Sequence, residues 1–231
     1  MLTIENYVQV NTLFLTWQTS HDRRQRYIVG EVRKTEQGYC LVYSTDTDDF
    51  NEARSKGFEG YPAFPLTEKT YNNDVMATFM KRLPPRTRTD FKDYLQSHHL
   101  PPSFDGDDFL LITHTGIRLP SDGFNLVPKL SEASIPFDFV MPLAAGSHYL
   151  KDYEKPDSIE VGQVLRLVAE SDNEHDTNAV KVMLEDTQIG YVIRPLSQTV
   201  NDLLRRNVTC QVARKTRIES KLMIYLMISV T

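Results

Sequence analysis

Eight polar residues, Ser171-Asp172-Asn173-Glu174-His175-Asp176-Thr177-Asn178, join two runs of strand character at residues 163–170 and 179–184. A connection this short cannot separate domains, so the loop is held from both ends within one small fold. Asn and Asp side chains bond nearby backbone groups, so turn chemistry alone accounts for such a composition. The other reading is that the same side chains face a ligand. A turn at residues 185–187 follows, then a strand at 188–193 that carries Gly190-Tyr191-Val192. Leu196, Val200, Leu203 and Leu204 then recur at helical spacing behind Pro195, which predicts an amphipathic helix.

The rest of the chain reads as strands first and helices second. Residues 13–17, 27–32 and 38–43 have strand character, with Gly38 at a turn, and predict an antiparallel sheet. The polar hairpin loop between the first two carries Arg23, Arg24 and Arg26, read as solvated charges or as phosphate contacts. Residues 46–56 are polar and acidic. Glycines and prolines at 57–65 exclude a long regular element there, and Phe58, Tyr61 and Phe64 are expected to pin that loop to the core.

Val75, Met76, Phe79, Met80 and Leu83 form a helical stripe between the cap candidates Asn72-Asn73 and the stop Pro84-Pro85. A second helix is expected from Thr87 or Thr89, a third over residues 107–115, and a closing strand over 123–128. Between the first two helices, Lys81, Arg82, Arg86 and Arg88 read as a solvated basic loop. A short polar stretch at 129–136 places the domain boundary, giving domains 1–135 and 136–231. The apolar run at 221–229 predicts a strand covered on both sides.

Charge and composition narrow the function. A net charge of -5 over 231 residues argues against a purely electrostatic nucleic-acid binder, so DNA contacts must be local. Arg205, Arg206, Arg214, Lys215, Arg217 and Lys221 supply one such stripe, opposed in sequence by Glu219 alone. Cys40 and Cys210 stand far apart without Cys or His at ligand spacing, which speaks against structural zinc and for a reducing cytoplasm. No run approaches the length of a membrane span, and no basic secretory start is present, so a cytoplasmic protein without a membrane partner is expected. His98-His99 and His114 near Asp105, Asp107 and Asp108 do not make a metal site, because adjacent histidines on a helix cannot face one ligand position. The chain lacks a Gly-x-Ser-x-Gly motif, a Gly-rich loop and the kinase catalytic motifs, so neither an enzyme nor a cofactor is expected.

The run Asp172-Asn173-Glu174-His175-Asp176-Thr177-Asn178-Ala179-Val180, then Gly190-Tyr191-Val192, then the helix over 196–206, resembles the HIRAN domain. That family occurs in some DNA-remodelling and repair ATPases and alone in many bacterial proteins. Gly146-Ser147-His148-Tyr149 fits its aromatic opening, which extends the resemblance over about residues 137–231. The resemblance implies a small barrel like an oligonucleotide-binding fold that captures single-stranded DNA near a 3′ end. Carried over, Tyr149 is the stacking platform, Asn173 and Asp176 face the terminal sugar, and His175 holds the place of a family aromatic. Tyr191 lines the site and Arg194 meets a phosphate. Leu150 departs from the family where a second aromatic often stands, and His175 is a poorer stacking surface than Tyr, which implies weaker or less end-specific binding. Tyr149 and Tyr191 also have a reading as core aromatics, and Asn173 and Asp176 as loop-bonding groups.

The first half is similar to the N-terminal subdomain of HipA-type kinases and to the small antitoxin of Hip operons. The residues are Val29-Gly30-Glu31-Val32, Gly38-Tyr39, Phe64-Pro65-Leu66, Val75 with Phe79, Arg82-Leu83-Pro84 and Gly123-Phe124-Asn125-Leu126-Val127-Pro128. The expected class is therefore α+β: an N-terminal antiparallel sheet with helices, followed by a small barrel with short helices. The expected function is non-enzymatic DNA binding that recruits a partner such as a HipA-like kinase, nuclease or helicase in repair, replication or defence. The alternative is an antitoxin or interaction module that restrains a HipA-like kinase.

Overall fold

The structure is a computed structural model that describes residues 2–19, 25–119, 121–150, 156–218 and 221–231. Arg23 and Arg24, candidates for a phosphate contact, lie outside the described residues, as does Glu219. The chain divides into two compact units, Val8–Ala133 and a second made of Met1–Tyr7 with Ser134–Thr231. The division thus differs from the sequence boundary in giving the first seven residues to the C-terminal unit.

The unit Val8–Ala133 contains β1 (Thr12–Trp17), β2 (Tyr27–Thr35), β3 (Gly38–Tyr43), α1 (Asp48–Ser55), β4 (Gly60–Tyr61), β5 (Phe64–Pro65), β6 (Thr70–Tyr71), α2 (Val75–Met80), α3 (Phe91–Ser97), α4 (Asp108–Thr115) and β7 (Asn125–Pro128). Its main sheet is antiparallel in the order β6-β3-β2-β1-β7. Alternating Leu13 and Leu15, Val29, Leu41 and Tyr43 are buried completely, as half-buried strands require.

The polar stretch at 46–56 folds as α1. The Thr47 hydroxyl accepts from the Phe50 amide, Asp48 and Asp49 lie in the first turn, and only Phe50 and Ala53 are buried, so its apolar stripe is two residues wide. Phe58, Tyr61 and Phe64 are buried anchors: the Tyr43 hydroxyl donates to the Phe64 carbonyl at 2.5 Å and accepts from the Tyr61 amide at 2.9 Å.

The basic cluster near α2 is not simply solvated. Arg82 grips both oxygens of Asp122 at 2.7 and 2.9 Å and donates to the Ile117 carbonyl at 2.8 Å. Arg86 pairs with Asp108, and Arg88 with Asp90. Arg26 is likewise internal, donating to Thr16 Oγ1 at 3.1 Å and the Gly123 carbonyl at 3.0 Å.

The second unit contains β8 (Phe137–Pro142), α5 (Gly146–Tyr149), β9 (Val164–Ala169), β10 (Val180–Leu184), β11 (Thr187–Tyr191), α6 (Arg194–Leu203), β12 (Val208–Ile218) and β13 (Lys221–Val230). Six strands form one curled half-barrel sheet in the order β11-β10-β9-β12-β13-β8. β13 has a strand on each edge, while across its faces Ile224, Leu226, Ile228 and Val230 are core and Met223, Tyr225 and Ser229 are half-buried. The two outer strands meet beyond β8, where Ala144 and Tyr191 exchange both backbone hydrogen bonds, at 2.8 and 2.9 Å.

Gly190 makes that approach possible. A Cβ there would lie 2.5 Å from the Ala144 carbonyl oxygen and 2.7 Å from the Leu143 side chain. At the other end of β8, the buried Asp138 holds the N-terminal segment, accepting from the Glu5 amide at 3.0 Å and the Asn6 amide at 2.8 Å. Ile4 in that segment is fully packed. No helix among the described residues is long and apolar enough to cross a membrane.

Candidate nucleic-acid interface

Three backbone features of the second unit converge on one surface. The Ala144–Tyr191 bridge fixes β11 at the seam of the sheet, α5 packs against β11 and β13 and carries Tyr149, and the loop at 171–178 joins β9 to β10. The loop is closed at its base by the Glu170 amide bonding the Ala179 carbonyl and by the Ala179 amide bonding the Asp176 carbonyl, both at 2.9 Å.

Tyr149 and Tyr191 form an edge-to-face pair, with ring centroids 5.7 Å apart at 70°, and the Tyr149 hydroxyl donates to that of Tyr191 at 3.4 Å. Both residues are half-buried, neither core nor fully solvated. Leu150, at the position where a second aromatic often stands in the family, is buried and belongs to the core.

Glu170, which sequence reasoning did not single out, is the hub. Its Oε2 accepts from the Tyr191 hydroxyl and from Asn173 Nδ2, both at 2.8 Å, and its Oε1 meets Lys181 Nζ at 2.5 Å. Desolvation opposes ionisation here, but the bonds from Lys181, Asn173 and Tyr191 outweigh it and hold the carboxyl below the usual carboxylate range. The Tyr191 phenol is pushed up from its ordinary value by burial first, then by its bonds with Tyr149 and Glu170. Glu170 and Tyr191 thus face each other as carboxylate and neutral phenol at neutral pH. The sequence signal was available: Glu170 and Lys181 flank the loop on neighbouring strands, an opposite-charge pair across a sheet.

The loop side chains are engaged by their own backbone. Asn173 Oδ1 accepts from the His175 amide at 2.9 Å and the Asp176 amide at 3.0 Å. Asp176 Oδ1 accepts from the Asn178 amide at 2.9 Å, and Oδ2 from the Ser197 hydroxyl of α6 at 2.6 Å. An ionised carboxylate has lone pairs for further donors, so these bonds orient Asp176 without exhausting it. His175 is exposed at the loop tip, and Arg194 is exposed as the first residue of α6. Tyr149, Tyr191, Asn173 and Asp176 are therefore linked through one bonded network running from α5 to α6, which reaches His175 only at its backbone amide and Arg194 only at its carbonyl, a partner of the Ser197 hydroxyl at 2.9 Å.

The basic stripe is divided. Arg205 and Arg206 are exposed just after α6, whereas Arg214, Lys215 and Arg217 lie on β12. The Arg214 guanidinium is 4.0 Å from the Tyr225 ring centroid, and Lys215 Nζ donates to the Ile159 carbonyl at 2.6 Å. In the other unit the His98 ring packs at 4.7 Å from that of Tyr94, and His114 Nε2 accepts from the Val8 amide at 3.2 Å. No group of three or more His, Cys, Asp or Glu among the described residues is placed to hold a metal ion.

Residues 139–231 match the family model of the HIRAN domain, so the C-terminal part of the chain carries a HIRAN domain. No curated protein matches the chain. Among solved structures, the crystal structure of the HIRAN domain of human HLTF shares 13% identity, with 40% of this chain and 74% of that one covered and a TM-score of 0.32. A protein from Lactobacillus plantarum shares 19% identity over 41% of this chain and 99% of that one, with a TM-score of 0.28.

Proposed function

We propose that this protein is a non-enzymatic DNA-binding protein whose HIRAN domain takes single-stranded DNA or a DNA 3′ end at the surface of Tyr149 and Tyr191. The HIRAN family binds DNA, and the match over residues 139–231 supports that class of ligand for this chain. The observation that carries the finer reading is the half-exposed tyrosine pair bonded into the Glu170 and Asn173 network. An aromatic face stacks a base for about 1–3 kcal/mol. The prebonded loop lowers the ordering cost of presenting Asp176 to a terminal hydroxyl. Arg194 at the start of α6 supplies a cation for the adjoining phosphate. The unit Val8–Ala133 is assigned the other half of the role, docking a protein partner brought to that DNA.

Fluorescence anisotropy with labelled oligonucleotides bearing free or blocked 3′ ends tests the site. Tyr149→Ala weakens binding about ten-fold or more, the lower part of the stacking range, and blocking the 3′ hydroxyl weakens the wild type. Equal affinity of wild type and Tyr149→Ala for every oligonucleotide removes the site from this surface.

A further inference from the structure

The β12–β13 hairpin outruns the barrel it belongs to. β12 pairs with β9 only at Cys210 and Gln211, and β13 pairs with β8 only from Tyr225 onward. Beyond the bond from the Leu143 amide to the Ile224 carbonyl, at 2.9 Å, residues 216–218 and 221–223 pair in ladders only with each other among the described residues. This is a two-stranded arm.

Opposed residues of an antiparallel pair share a face, and successive residues alternate. One face of the arm therefore carries Lys215 and Arg217, opposite Ile224 and Leu222. The other carries Arg214 opposite Tyr225, and Lys221. In a chain of net charge -5, the arm gathers cations on both faces, and the sequence from Arg214 to Lys221 holds one acidic residue, Glu219.

The arm springs from the edge of the tyrosine site. Leu143 bonds Ile224 at the root of the arm, and the next residue, Ala144, bonds Tyr191. α5, which carries Tyr149, packs against β13 as well as β11. A strand end held on the tyrosine pair thus has the arm as its neighbour.

We propose that the β12–β13 arm is a second DNA contact, gripping the phosphates of a duplex that adjoins the captured strand end, so that the preferred ligand is a duplex bearing a single-stranded 3′ end. The placement of the strand end rests on the reading given under Proposed function; the arm's charge does not. A two-stranded ribbon enters the major groove, about 12 Å wide, and cations on both of its faces meet both phosphate walls. Such contacts read backbone and not sequence.

The full chain is titrated by anisotropy against a single strand, a blunt duplex and a duplex with a short 3′ overhang, over a range of salt. The wild type binds the overhang duplex tightest. The double variant Arg217→Gln/Lys221→Gln, at two exposed positions, binds both duplexes about ten-fold more weakly, loses about two units of salt slope, and changes less on the single strand. Wild-type duplex affinity and salt slope in that variant overturn the proposal, as does a wild type that prefers the single strand to the overhang duplex. Tyr149→Ala separates the two readings. Single-strand and overhang-duplex affinities that are unchanged in Tyr149→Ala, with duplex binding lost in Arg217→Gln/Lys221→Gln, uphold the arm and refute end capture.

Discussion

The Tyr191 hydroxyl donates to Glu170 at 2.8 Å, so the phenol is aimed by a carboxylate that also accepts from Asn173 and was itself not named from sequence. The bonds that hold Glu170 ionised give its contribution a defined pH window. Its folded value lies below the unfolded one, so the stabilisation is complete above the unfolded value, about 4.3, and is lost as pH falls through the lower folded value. Glu170→Gln is therefore destabilising at neutral pH, and its deficit shrinks in acid. Urea midpoints of both proteins at pH 7 and in acid measure this; a deficit that stays constant into acid contradicts it.

Gly190→Ala places a methyl group 2.5 Å from the Ala144 carbonyl oxygen. The seam between the outer strands must then open or shift. The expected cost is about 1–3 kcal/mol, as for other overpacked sites. Denaturant unfolding followed by far-UV circular dichroism reads it, and a variant as stable as wild type shows that the seam is not closed in solution.

Asp138 holds Glu5 and Asn6 from the far side of the sequence. Asp138→Ala removes the carboxylate that accepts from those part-buried amides, at about 1.5–3 kcal/mol for hydrogen bonds to a charged group. Desolvation of the carboxyl is outweighed by bonds from Ser229, Asn6 and Glu5, which hold it below the usual range, so this clamp also weakens only as pH falls below about 3.9. Hydrogen exchange at the Glu5 and Asn6 amides accelerates in the variant; unchanged protection would sink the assignment.

Arg82 belongs to the other unit. Arg82→Ala abandons Asp122 and the Ile117 carbonyl and costs about 2 kcal/mol, while Arg82→Lys restores only part of it because an ammonium cannot bond both oxygens of Asp122 as a planar fork does. Calorimetry of the full chain shows the loss in the transition of the unit Val8–Ala133, with that of the HIRAN-bearing unit unmoved.

Apolar elements were readable from sequence: β3 at Gly38–Tyr43 and β10 at Val180–Leu184 lie within the runs of strand character at 38–43 and 179–184, and α4 at Asp108–Thr115 lies within the helix expected over 107–115. α1 was not, because two buried side chains leave no stripe and only Thr47 with Asp48 and Asp49 mark its start. Within the candidate site, the loop and the tyrosines carry recognisable residue types, whereas Glu170 looks like any charge ending a strand until Tyr191 and Asn173 are seen to converge on it. The Ala144–Tyr191 seam was invisible for a different reason, since Ala144 lies outside any strand and the bond depends on how far the whole sheet curls.

The clamp between Asp138 and the segment Met1–Tyr7 sets an order on biosynthesis. A ribosome releases Asn6 more than a hundred residues before its partner, Asp138, exists. The unit Val8–Ala133 can complete its own core in that interval, since domains fold as units during synthesis. The leading segment must wait, unpaired, until β8 emerges. For expression work, a fragment starting at the apparent boundary near residue 136 would be born without a piece of its own fold.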